Sequence, residues 1–518
     1  MVLEQLAAGF VAALSPGGLA AMLAGLAWGM IGGALPGISG PLAMAVLLPF
    51  TFGLDTGIAL MLLAGVWTGA NYGGSIPAIL IRVPGTASSA ACIPDGYALT
   101  RQGLAAKALG VSLVCGCVGG LLSVLVSMAL LIPLGEVVLA FGSPEIFATT
   151  VLGLTVISSL SGPSLAKGIA SGLFGLLLTT IGLDQIAGVP RFTFGRAELL
   201  SGLDVVAVMI GFFGIAEMLY QLAHPQAAPP AADPRVGMAF PTLRELAGLW
   251  RATLVGSVVG MIVGIIPGAG GPISSFLAYG EARRWSRRPE AFGKGSLEGV
   301  AAPETANNSD QGTALVPTLL FGVPGSPSAA IVLAALILHG VQPGPFLMQK
   351  RAELLYAFFA ALILVNTVLM LPVGVALQRL CIRAVAVRPP VLTAGVLALS
   401  VLGAYALNVT VFDAAVALAF GLLGYGMRRF GFSTPAAVLG MVLGFTMEGE
   451  FRRSMVMSLG DPAIFVTRPV AATILALAAL ALLRPLLGRA AGARRRRRGR
   501  EAAPGALDPQ PEKGGVMQ

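Results

Sequence analysis

Charged residues along this chain are sparse and clustered, and long apolar runs fill the space between the clusters. No charged side chain occurs from Gln5 to Leu54, and further uncharged runs cover 56–81, 108–135, 146–166, 252–280, 311–349, 354–378, 389–412 and 430–447. A membrane-crossing helix needs about 20 consecutive apolar residues. Runs as long as 5–54 and 311–349 therefore hold more than one element, divided at Gly and Pro. With shorter, mostly apolar runs at 168–183, 205–222, 414–427 and 469–487, the second holding Glu217 and the last Arg484, the pattern predicts an all-α polytopic membrane protein. It should have roughly 10–12 transmembrane helices and several half-length pieces. A membrane β-barrel would alternate polarity residue by residue, and these runs do not.

Composition sharpens the same picture. Of 518 residues 56% are hydrophobic and 11% charged, with mean hydropathy +0.85, against about 25% charged in soluble domains. The first residues carry Glu4 and no basic side chain, so no signal peptide is expected. Cys92, Cys115, Cys117 and Cys381 read as small core residues rather than metal ligands. The 69 glycines allow membrane helices both to approach closely and to break. The net charge of +9 comes largely from Arg489, Arg494 to Arg498 and Arg500. That cluster puts the C-terminus on the cytoplasmic side and reads as a topology anchor, not a nucleic-acid site. A second basic cluster spans Arg283 to Lys294. The polar stretch from His224 to Arg244 reads as an extramembrane linker. The expected organisation is a first transmembrane repeat at 1–225, a linker at 226–244, a second repeat at 245–488 and a basic, disordered cytoplasmic tail at 489–518.

The division into repeats rests on two motifs that recur in order. "PGISGP" at 36–41 returns as "PGAGGP" at 267–272, an offset of 231, and "IRVPGT" at 81–86 returns as "FGVPGS" at 321–326, an offset of 240. Proline removes a backbone donor and glycine permits positive φ, so each motif should interrupt a helix. Broken helices at corresponding positions in two halves, generally of inverted topology, point to a transporter binding site. Freed backbone N–H groups at helix starts, with nearby hydroxyls, suit a carboxylate. The substrate candidates are Pro36, Gly37, Ser39, Gly40, Tyr72, Ser75, Gly85, Thr86, Ser88, Gly268, Gly270, Gly325 and Ser326. Arg82 either adds charge there or anchors topology.

"APETANNSD" at 302–310 has the densest set of oxygen ligands near a break. It points to a cation-coupling site of Glu304, Asn307, Asn308 and Asp310, with Na⁺ on the first three or a proton on Glu304. The competing readings are a solvated loop, or asparagines capping a helix that begins near Gln311. The chain contains no Walker A motif, so ATP hydrolysis by this chain is not expected. A polyvalent anion entering a negative cell interior then requires co-transported cations.

The segments "GALPGISGPLAMAVLLPFTFGLD", "NYGGSIPAILIRVPGT", "IIPGAGGPISSFLAYGEARRWSRRPEAFGKGSLEGVAAPETANN" and "TLLFGVPGSPSAAIVLAALILHGVQPGP" resemble the large membrane subunit of the tripartite tricarboxylate transporters, over about residues 15–480. The resemblance implies a multi-pass permease of the bacterial inner membrane for organic carboxylates. It also implies cation coupling, a small four-helix membrane subunit and a periplasmic solute-binding protein. Arg82 and the run Ser309, Asp310, Gln311 depart from the pattern of such proteins. A passive anion channel is the alternative transport reading. The enzyme-class alternative is an intramembrane serine protease, from "GISG" at 37–40 with His339 as base. The repeat argues against it, since Ser39 corresponds to Gly270.

Overall fold

The computed structural model describes residues 2–35, 38–139, 141–155, 164–184, 188–224, 237, 239–266, 270–344, 347–385 and 389–480. The chain is helical nearly throughout. Among the described residues the only strands are Gly182–Leu183 and Pro190–Arg191, paired antiparallel. The first half holds α1 (Val2–Ala13), α2 (Pro16–Ala34), α3 (Gly40–Leu47), α4 (Thr56–Ile81), α5 (Ile93–Arg101), α6 (Ala105–Leu139), α7 (Ser143–Thr155) and α8 (Leu165–Leu178). Then comes α9, which runs from Val205 to Ala223 through a π-helical turn at Ile210–Ile215. The second half holds α10 (Leu243–Ile265), α11 (Gly270–Trp285), α12 (Glu298–Phe321) and α13 (Pro327–Leu338). It continues with α14, from Ala352 to Val385 through a π-helical turn at Val365–Leu369. The last helices are α15 (Pro389–Asn408), α16 (Val411–Arg429), α17 (Thr434–Met457) and α18 (Pro469–Leu480). Among the described residues six helices are long and apolar enough to cross a membrane: α2, α6, α9, α10, α14 and α16. The protein is an all-α, multi-pass membrane protein. The C-terminal tail, and residues 225–236 and 238 of the linker, lie outside the described residues.

Each proline–glycine motif separates two helices. α2 ends at Ala34 and α3 starts at Gly40, while α10 ends at Ile265 and α11 starts at Gly270. The second pair of breaks is built alike in both halves. α4 stops where Arg82 turns left-handed at φ 60°, and α12 stops where Gly322 does so at φ 66°. In each case the valine that follows donates its N–H to a proline carbonyl inside the helix, Val83 to Pro77 at 3.4 Å and Val323 to Pro317 at 3.2 Å.

The segment 302–310 differs from both alternatives drawn from composition. It is neither a solvated loop nor the cap of a helix starting at Gln311. It lies inside α12, and Pro303 to Asp310 are all buried. The sequence is poor in helix formers, so its helicity comes from packing. α6 brings Gly116 and Gly119 to one side, where a Cβ at Gly119 would lie 2.3 Å from the Thr305 carbonyl oxygen. Glu304 and Asn308 meanwhile find partners on α4 and α6.

Two glycine seams hold the centre. A Cβ on Gly25, Gly29 or Gly33 of α2 would lie 2.2, 2.2 and 2.3 Å from the carbonyl oxygens of Leu62, Val66 and Ala70 on α4. A Cβ on Gly256, Gly260 or Gly264 of α10 would lie 2.5, 2.6 and 2.7 Å from those of Ala302, Ala306 and Asp310 on α12. The glycines correspond at the offset of 231 and the carbonyls at the offset of 240, the spacings of the two paired motifs. α4 and α12 themselves meet through Thr68–Gln311, Asn71–Asn308 and Ser75–Glu304 hydrogen bonds. Partner numbers fall on α12 as they rise on α4, so the two helices run antiparallel.

Candidate functional site

A cavity of about 520 Å³ lies where four helices begin. Ser39, Gly40 and Pro41 open α3, Gly271 and Pro272 open α11, Ser326 and Pro327 open α13, and Ser433, Thr434 and Pro435 open α17. The short turn at Thr86–Ser88 closes the ring. Ser39, Ser326 and Ser433 each cap their own helix, accepting from the N–H of Leu42, Ala329 and Ala436 at 3.2–3.3 Å. A proline in the first turn has no N–H to satisfy and presets φ for the helix. The remaining first-turn N–H groups and the positive ends of four helix dipoles make this wall attractive to an anion.

Of the residues anticipated from the sequence, Ser39, Gly40, Thr86, Ser88, Asn307, Asp310 and Ser326 line the cavity. Thr86 Oγ1 and Asn307 Nδ2 are buried without a hydrogen-bond partner. Such groups are costly to leave unmade, and both belong to residues on the cavity wall. Around Gly271 three oxygens converge. A Cβ there would lie 2.6 Å from both Asn307 Oδ1 and Ser88 Oγ and 3.4 Å from Asp310 Oδ2. No cationic side chain pairs with Asp310 among the described residues.

Other anticipated residues stand behind the wall. Glu304 is buried on α12, where Ser75 Oγ donates to its two oxygens at 2.7 and 2.8 Å and Ser112 Oγ of α6 donates at 2.9 Å. Asn308 donates to the Glu304 carbonyl at 3.0 Å and accepts from Asn71 at 3.4 Å. Glu304 and Asn308 thus tie α12 to α4 and α6, while Asn307 and Asp310 face the cavity. Gly85 and Gly325 allow backbone crossings: a Cβ would lie 2.1 Å from the Gly33 carbonyl oxygen and 2.7 Å from that of Gly264, respectively. Gly270 takes φ +63° beside Pro327. Tyr72 is buried, its hydroxyl has no partner, and it does not line the cavity. Arg82 does not line it either. Asp95 accepts the N–H groups of Gly293, Gly295 and Ser296 and the Tyr279 hydroxyl at 2.7–2.9 Å, which fixes the loop after α11. Pro36, Gly37 and Gly268 lie outside the described residues.

The four cysteines are buried and free. Among the described residues no group of three or more His, Cys, Asp or Glu side chains is placed to hold a metal ion. The serine–histidine pair required of a protease is not formed. His339 Nε2 meets Thr51 Oγ1 at 3.3 Å, and Ser39 Oγ caps α3.

Several lining residues escaped the sequence reading: Trp67, Phe212, Phe213, Glu217, Arg428 and the Ser433–Pro435 helix start. "FSTP" at 432–435 repeats the Ser-then-Pro signature of the other helix starts, but it sits inside a run read as one apolar span. Arg428 and Glu217 gave no local signal, because they meet only through the packing of α9 against α16.

Residues 19–439 match the model of the family described as "Tripartite tricarboxylate transporter TctA family". A protein of Agrobacterium vitis, "Uncharacterized 52.8 kDa protein in TAR-I ttuC' 3'region", is 36% identical over 489 residues, 92% of this chain and 94% of its own length. A second from the same organism, "Uncharacterized protein in TAR-II ttuC' 3'region", is 33% identical over 228 residues, 44% of this chain and 94% of its own. No solved structure matches.

Proposed function

The chain belongs to the tripartite tricarboxylate transporter TctA family as its large transmembrane permease subunit, and from that membership we propose that it carries out cation-coupled uptake of di- and tricarboxylates across the bacterial inner membrane. The observation that carries this reading is the cavity at four helix starts, with buried Thr86 and Asn307 atoms left unpartnered on its wall. The test is uptake of labelled citrate or succinate into vesicles containing the assembled transporter. Accumulation above the outside concentration, abolished when the ion gradient is collapsed, supports a coupled carrier. Simple equilibration supports the channel alternative.

Among the acidic residues Asp310 is best suited to hold the coupling ion. It faces the cavity with Asn307 Oδ1 and Ser88 Oγ beside it, an all-oxygen set of the kind Na⁺ takes. Glu304 is assigned to holding helices together, because Ser75 and Ser112 occupy its carboxylate. Substrate and cation would then share one wall, so that the cation offsets the charge of the carboxylate it accompanies.

The two halves are read as inverted repeats. Two features support this: the corresponding glycine seams and the antiparallel contact of α4 with α12. Under such an inversion Thr68–Gln311 and Asn71–Asn308 become symmetry mates. Superposition of 15–225 on 245–480 in an experimental structure, and accessibility labelling of the two breaks from opposite sides, test it. The family's transporters are tripartite, so the chain works with other components. A small four-helix membrane subunit and a periplasmic solute-binding protein are the proposed partners, because the described residues form membrane-type helices and no soluble domain that could capture dilute substrate. Full transport at micromolar substrate by this chain alone would contradict that.

A further inference from the structure

One wall of the cavity comes from helices that the carboxylate and cation reading does not use. α9 contributes Phe212, Phe213 and Glu217, and α16 contributes Arg428. Among the described residues lining the cavity Arg428 is the only Lys, Arg or His. Its guanidinium pairs with Glu217 and lies 3.6 Å from the centroid of the Tyr220 ring. The second Glu217 oxygen accepts from Gln221 at 3.2 Å.

This pair is placed to be exchanged. A guanidinium has five N–H donors in a planar fork that matches a carboxylate, and the pair with Glu217 engages only Nη1. The side chains of Arg428 and Glu217 are 44% and 25% exposed and both residues line the cavity, so the ion pair is open to an incoming ligand rather than buried. Tyr220 fixes the guanidinium plane by stacking. An incoming carboxylate can therefore take donors from Arg428 without stranding a buried charge. The same cavity is also lined by Phe212, Phe213 and Trp67, apolar surface suited to the carbon skeleton that joins two carboxylates.

We propose that Arg428 binds the second carboxylate of the substrate and so selects polycarboxylates over monocarboxylates, with Glu217 holding the guanidinium until substrate arrives. The inference rests on the reading of the cavity as a carboxylate site. The first carboxylate sits at the helix starts beside Thr86. The second replaces or joins Glu217 at the fork of Arg428.

The test is ligand-dependent thermal stabilisation of the purified full chain, titrated with citrate, succinate and butyrate. Arg428→Gln should weaken citrate and succinate about ten-fold or more, the scale of a lost charge-assisted pair, and change butyrate less than about two-fold. Arg428→Lys should recover only part of the loss, since an ammonium lacks the fork. Glu217→Gln should tighten citrate and succinate by removing their competitor, and it still decides the matter if the arginine variants do not fold. Equal weakening of all three anions, or unchanged polycarboxylate affinity in both Arg428→Gln and Glu217→Gln, overturns the role of Arg428 while leaving the carboxylate site intact. A wild-type chain that none of the three anions stabilises overturns the carboxylate reading itself, and this inference with it.

Discussion

α4 and α12 pass each other at the centre of the protein on corresponding paths and in opposite directions, yet they carry different chemistry. Both are crossed by three glycines of a neighbouring helix, and both end at a left-handed residue before a Val-Pro-Gly turn. At matching positions α4 has Ala64, Trp67, Thr68 and Ala70, where α12 has Glu304, Asn307, Asn308 and Asp310. The doubled part is backbone geometry, which glycine and proline positions set. The part present once is the pair of buried acids. Two helices of matching backbone geometry can thus frame a cavity at the centre while one of them alone supplies the charge.

The largest effects should come from the shared seams. Gly29→Ala puts a methyl 2.2 Å from the Val66 carbonyl oxygen, and Gly260→Ala puts one 2.6 Å from that of Ala306. Backbone cannot yield as a side-chain tip does, so each pair of helices must separate. Overpacking of this kind costs about 1–3 kcal/mol and can exceed it. Both variants should lose thermal stability and monodispersity in size-exclusion chromatography. Loss in only one would show that the seams are not equivalent supports.

The two acids of α12 should separate next. Asp310→Asn should reduce gradient-driven uptake about ten-fold or more while the melting temperature stays near wild type, since little in the interior depends on that carboxylate. Glu304→Gln should instead destabilise the fold by about 1–3 kcal/mol through its lost charge-assisted hydrogen bonds, with the cation dependence of the remaining uptake unchanged. The reverse pattern would return the coupling role to Glu304.

The breaks were legible in the sequence because proline and glycine act locally. PGxxGP and VPG[ST] end helices whatever surrounds them, and the four breaks fall where those motifs stand. The state of "APETANNSD" was not legible. Asn, Ser and Asp favour loops and caps in isolation, and only Gly116 and Gly119 of α6 and the α10 seam, remote in sequence, make them helix interior. The site divided along the same line. Ser39, Thr86 and Ser326 announced themselves by sitting at breaks, whereas Arg428 and Glu217 are neighbours only after α9 and α16 pack.

Thr86 and Ser326 occupy matching positions in the two breaks but differ in what their hydroxyls do. Ser326 Oγ accepts from the Ala329 N–H at 3.2 Å, while Thr86 Oγ1 has no partner. Thr86→Val, which keeps the shape, should weaken substrate about three- to ten-fold in the thermal-shift titration, the worth of one hydrogen bond. Ser326→Ala should cost about 1 kcal/mol of stability as a lost helix cap, with little change in affinity. Equal affinity losses in the two would mean that both hydroxyls touch substrate.

The smallest effect tests the one place where matching backbone carries mismatched residues. Arg82 and Gly322 both close a helix at positive φ, 60° and 66°. A side chain in that conformation costs about 1–2 kcal/mol that glycine avoids. Arg82→Gly should therefore raise thermal stability by about 1 kcal/mol, offset slightly by the greater freedom of glycine in the unfolded chain. Gly322→Ala should lower it by a similar amount. Since Arg82 stands outside the cavity lining, uptake by Arg82→Gly should match wild type at every substrate concentration. A fall in uptake with stability intact would mean that the arginine is kept, at the expense of strain, for a role in transport that α12 does not need at Gly322.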